Sequence, residues 1–150
     1  MKKSFGVLFT LVLLVLPACG GEEPSDEPTD VPTMESPTAE AAGVSFTSPE
    51  SGATVSSPVQ VKMAAEGVTI EPASAGVKPN SGHLHVMIDT DCLQAGQTIP
   101  NDASHMHLGM GQTEAELQLS PGEHNLCLQL GDANHVATDL TDQISITVAG

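Results

Sequence analysis

The sequence predicts an all-β protein, an immunoglobulin-like β-sandwich of about seven strands. Three observations carry this. Short runs in which apolar and polar residues alternate recur from Val44 to the end of the chain, and a period of two is the signature of a half-buried strand. Clusters of Pro, Gly, Ser, Asn and Asp separate these runs, as turn chemistry requires. No amphipathic stretch of helical period and useful length interrupts them.

The elements follow in order. Val44-Ser45-Phe46-Thr47 opens the domain, and Pro49-Glu50-Ser51-Gly52 is a turn. Val59, Val61 and Met63 alternate with Gln60 and Lys62, which sends Met63 to the core. From His83 to Asp89, Leu84, Val86 and Ile88 share one face, and His83, His85 and Met87 share the other. That second face is expected to be presented outward. Ala115, Leu117 and Leu119 alternate with Glu114, Glu116 and Gln118. Pro121-Gly122 turns the chain into a strand carrying Leu126, Leu128 and Leu130. Ile144, Ile146 and Val148 supply the last strand. Phe46 is the single aromatic residue after position 43, so the core must be built from Leu, Val, Ile, Met and Ala.

Residues 1–18 read as a lipoprotein signal peptide. Lys2 and Lys3 precede an apolar run from Phe5 to Leu16, which is shorter than the roughly 20 residues a membrane span needs. Leu16-Pro17-Ala18-Cys19 resembles a bacterial lipobox, and the resemblance implies that Cys19 becomes the lipidated N-terminus. Several acyl chains on one residue give the stable anchoring that one chain does not. Gly20 lacks the aspartate that retains lipoproteins at the inner membrane. The expected location is therefore the cell envelope, at the periplasmic face of the outer membrane. Cys19 and the segment to residue 43 form an acidic, Pro-rich disordered linker, since it holds no Lys, Arg or aromatic residue and cannot bury enough apolar surface to order itself.

The 150-residue chain carries a formal charge of −15. Losing the leader removes Lys2 and Lys3 and leaves Lys62 and Lys78 as the fixed positive charges. Nucleic acid is excluded as a partner, because phosphate contacts need a basic surface. Anionic lipid head groups are excluded on the same ground. Cations are the natural small partners of such a field. The lipid bilayer enters only through Cys19, and any protein partner is unknown.

Four of the six histidines fall in two pairs, His83-Leu84-His85 and His105-Met106-His107. On a strand, residues i and i+2 aim at one point. Imidazole is the commonest metal ligand near neutral pH. Cys92 and Cys127 sit in a chain expected in an oxidising compartment, which favours a disulfide over free thiols or metal ligation. Such a bridge would close a loop worth roughly 3 to 4 kcal/mol on the chain-entropy model. His124 shares its phase with Leu126 and Leu128 and reads as structural. Asp89, Asp91 and Asp102 read either as acceptors for imidazole N–H groups or as loop caps.

An ordered series of motifs then resembles the bacterial "domain of unknown function 4399" family. It runs through Ser48-Pro49-Glu50-Ser51-Gly52-Ala53-Thr54-Val55, Gly82-His83-Leu84-His85-Val86-Met87-Ile88-Asp89, His107-Leu108-Gly109-Met110-Gly111-Gln112-Thr113-Glu114, Pro121-Gly122-Glu123-His124 and Gly131-Asp132-Ala133-Asn134-His135. The resemblance covers most of residues 44–150 and implies an exported sandwich-like domain, often on lipoproteins, with no established function. It favours His83, His85, His107 and His135 over His105. The chain departs from the family at Leu84, where members often carry a third consecutive histidine, and at Leu108, where the residue is often aromatic.

The functional expectation is a membrane-anchored binding module, not an enzyme, that holds copper or zinc through His83, His85, His107 and His135. His105, Met87 and Met110 are additional donors to test, and thioether sulfur would shift the preference toward copper. The competing reading is a structural or interaction domain of the cell envelope without metal.

Overall fold

A computed structural model of the chain describes residues 41–150. The expected signal peptide, Cys19 and all but the end of the linker lie outside the described residues. What is described is a β-sandwich of two sheets. The smaller sheet has the order β1 (Gly43–Ser48), β3 (Val59–Glu66), β7 (Glu114–Leu117) and is antiparallel throughout. The larger runs β2 (Thr54–Val55), β9 (Ala137–Val148), β8 (Gly122–Gly131), β5 (Ser81–Ile88), β4 (Thr69–Ile70). β6 (His105–Leu108) shares with β4 the edge of β5 that faces away from β8. β2 and β4 pair in parallel with β9 and β5, and the other pairs are antiparallel.

The main core lies between the sheets. Val59, Val61 and Met63 of β3 meet Leu84 and Val86 of β5, Leu126, Leu128 and Leu130 of β8, and Ile144, Ile146 and Val148 of β9. These are the positions that period-two alternation assigns inward, and Phe46 packs on their margin. A second, smaller apolar cluster, Met87, Ile99, Cys127 and Ala137, lies on the outer face of the larger sheet. It exists because the segment after β5 folds back over that face.

The described residues form nine strands where about seven were expected, because β2 and β4 are two-residue pairings too short to leave a pattern. The expected turn at Pro121-Gly122 does not close a hairpin. β7 and β8 belong to different sheets, so the chain crosses the sandwich there, with Leu119 buried in passing. β9 begins at Ala137, well before the apolar run from Ile144, because pairing with β8 extends through a stretch where exposed residues alternate with half-buried Thr138, Leu140 and Asp142.

Candidate metal centre

β5 sends Leu84 and Val86 into the sandwich and His83, His85 and Met87 to the opposite face. That face was expected to be presented, and this is corrected: His83 is 0% and His85 1% exposed. The cause is the segment between β5 and β6. The Cys92–Cys127 disulfide, with Cα atoms 5.6 Å apart, fixes it to β8. Buried Gln129 satisfies both peptide groups of Leu93, accepting from its N–H at 2.9 Å and donating to its carbonyl at 2.8 Å. Further along, Ile99 N–H donates to the His135 carbonyl, Gly96 N–H to Ala137, and Ala137 N–H to Gln97. The segment thus covers the sheet beside the two histidines.

His107 arrives on β6, in register with His85. His135 comes from the loop between β8 and β9. Asp132 shapes that loop by accepting from Asn134 N–H at 2.7 Å and Val136 N–H at 2.9 Å with one carboxylate oxygen. His135 itself holds a φ of 62°, in the left-handed region, a conformation that costs a non-glycine residue of order 1 kcal/mol or more. Backbone strain of this kind gathers where a side chain must be aimed.

The four rings converge. Their centroids lie 4.7 to 5.8 Å apart in all pairings. His83 and His85 approach Nε2 to Nε2 at 2.9 Å, one N–H donating to the other nitrogen. His107 and His135 do the same at 3.1 Å. His83, His107 and His135 can each offer a ring nitrogen with all three nitrogens within 4.8 Å of one another. A tetrahedral site with metal–nitrogen bonds of about 2.0–2.1 Å places its ligand nitrogens roughly 3.3 Å apart. The cluster is within a small side-chain adjustment of that spacing.

Its electrostatics suit a cation. Burial holds His83 down to about 4, aided by repulsion from His107 and His135 and opposed by the Asp132 carboxylate. Burial pushes His85 down to about 3, with His83, His107, His135 and His105 adding to it. Burial and His135 also lower His107. These three rings are therefore neutral at pH 7 and keep the lone pair that a metal needs. Among the described residues, nothing offers a hydrogen bond to the buried Nδ1 atoms of His83 and His85. An unpaired buried polar atom costs about 1–3 kcal/mol, so the arrangement is poor as a stability device.

The remaining candidates fall outside the cluster. His105 donates from Nδ1 to Asp102 at 2.7 Å, and Asp102 also caps Ser104 N–H. His124 is a structural clamp, donating to the Ser120 carbonyl through Nε2 and to Asp89 through Nδ1, which raise its pKa in that order. Met87 packs in the small apolar cluster with Ile99 and Cys127. Met110 is 78% exposed in the turn after β6.

Sequence reading overlooked four supporting residues. A Cβ on Gly109 would fall 2.2 Å from atoms of the His107 ring, and one on Gly131 would fall 2.9 Å from His85 Nε2. Gln129 and Asp132 hold the covering segment and the His135 loop. The glycines adjoin the histidine motifs in sequence, which is the signal that was available.

The family model described as domain of unknown function (DUF4399) matches residues 61–149. The chain belongs to this family. The match spans β5, β6 and the β8–β9 loop, so every member of the histidine cluster lies inside the family domain. Leu84, where the resemblance anticipates a histidine, is fully buried in the main core on the face away from the cluster. No curated protein and no solved structure matches the chain.

Proposed function

We propose that this DUF4399 domain is a binding module for a transition metal, zinc or copper, held by His83, His85, His107 and His135. The observation that carries the proposal is the convergence of four imidazoles, two of them fully buried, with ring nitrogens facing each other at 2.9 and 3.1 Å. An all-nitrogen donor set suits Zn²⁺ or Cu²⁺ better than Cu(I), because no thioether joins it. A net charge of −15 draws cations toward the surface. In this reading the protein binds and does not catalyse. It works outside the cytoplasm, anchored through lipidated Cys19, and the Cys92–Cys127 bridge fits an oxidising compartment.

Calorimetric titration of the purified protein with Zn²⁺, Cu²⁺ and Cu(I) tests the proposal. One ion of Zn²⁺ or Cu²⁺ should bind more tightly than micromolar, and His83→Ala with His85→Ala should abolish it. Binding weaker than micromolar, or unchanged in the double variant, overturns it. The non-metal reading predicts instead a melting temperature that ignores both ions and chelators.

A further inference from the structure

The histidine cluster is reached from one side. A cleft of about 340 Å³ opens beside it, lined by His85, His107, His135, Thr98, Asn101 and Asn134, with Ile99 and Pro100 completing its wall. His83 does not line it and lies at the back of the cluster. His83, His107 and His135 supply the tight set of three nitrogens. With His85 as the fourth nitrogen, Cu²⁺ still keeps a position for an exogenous ligand, because it takes tetragonal geometries.

The chemistry of the wall identifies what that ligand is. Imidazole ligands bring no negative charge, so the charge of a divalent ion is left uncompensated. Among the described residues no carboxylate lines the cleft. Asp132, the acidic group that acts on His83, spends one carboxylate oxygen on two backbone N–H groups. The wall offers uncharged polar groups in Thr98, Asn101 and Asn134, beside an apolar strip. Such a pocket provides hydrogen-bond donors and no competing negative charge.

We propose that this cleft is a binding site for a small anion, a carboxylate or an inorganic anion, that coordinates the metal held by the histidines. This rests on the metal-binding reading above. The protein then binds metal and anion together, with the anion entering past His85, His107 and His135.

The test uses the full chain loaded with Cu²⁺ and titrated with sodium azide, followed by electron paramagnetic resonance and by the azide-to-copper absorption band. Acetate competition runs in parallel. The expected result is a saturable one-to-one band with a changed copper signal. Acetate displaces azide where carboxylates are accepted and leaves it bound where the cleft takes inorganic anions alone. Thr98→Trp, an exposed position that narrows the cleft, should keep the copper stoichiometry and weaken azide at least tenfold. Copper bound at one equivalent with a signal indifferent to azide overturns the anion site and leaves the metal reading standing. Azide affinity unchanged in Thr98→Trp also overturns it. Failure to load Cu²⁺ or Zn²⁺ at all overturns both.

Discussion

Replacing both buried histidines, His83→Leu with His85→Leu, should remove a large part of the metal-free protein's sensitivity to acid. Both side chains are neutral in the fold, with pKa values held near 4 and 3, whereas in the unfolded chain they return to about 6.5. Between these limits the unfolded state binds more protons, so stability rises with pH. The contribution is fully present above about pH 6.5 and is lost as pH falls toward 4 and 3. At pH 5 both folded values are still below ambient, so the loss is set by the unfolded pKa. That is 1.5 units at 1.36 kcal/mol each, about 2 kcal/mol per histidine and about 4 for the pair. His124 works in the opposite sense: its raised pKa stabilises the fold below the unfolded value and fades as pH rises through the folded one. Comparing native and double variant cancels that background. The assay is urea unfolding with a chelator present, at pH 7.5 and pH 5. The native protein should lose about 4 kcal/mol more than the variant, and at pH 7.5 the variant should be no less stable, since two unpaired buried nitrogens are gone. Parallel pH dependence in the two proteins would refute the claim that these rings are buried and neutral.

Three further outcomes follow from the same geometry. Gly109→Ala places a methyl group where the His107 ring lies, so metal affinity measured by calorimetry should fall at least tenfold while the urea midpoint changes little. His135→Gly should unfold at higher urea than His135→Ala, by about 1 kcal/mol, because only glycine accepts a φ of 62° without strain; equal midpoints would mean that the loop relaxes. Cys92→Ser with Cys127→Ser opens a 35-residue separation, should cost about 4 kcal/mol in chemical unfolding, and should speed hydrogen exchange at Leu93 and Gly96 by loosening the cover over His85.

Much of this was legible in the sequence. Alternation at Val59–Met63, His83–Ile88 and Leu126–Leu130 gave the strands and their inward faces, because a period of two leaves no choice once one face is apolar. The two-residue strands β2 and β4 have no period to read. The start of β9 was hidden because residues 137–143 pair with β8 yet carry only Ala137 and Leu140 as apolar side chains, too few to show a period. In the site, the same alternation put His83 and His85 together and Leu84 on the far side. It could not reveal their burial, since the cover comes from residues 89–104, joined by a disulfide and by backbone hydrogen bonds that have no sequence signature. His105 shares its strand face with His107, yet its ring turns to Asp102, a choice fixed by a local hydrogen bond. Gly109 and Gly131 matter for the side chain they lack, which becomes visible only when a neighbouring ring fills the space.

The most direct measurement is X-ray absorption at the metal edge of the protein loaded with one equivalent of Zn²⁺. The structure predicts a first shell containing at least three imidazole nitrogens at about 2.0–2.1 Å and no sulfur. A sulfur shell, an oxygen-only shell, or the same spectrum from the His83→Leu, His85→Leu variant would contradict the assignment of these histidines as the metal site.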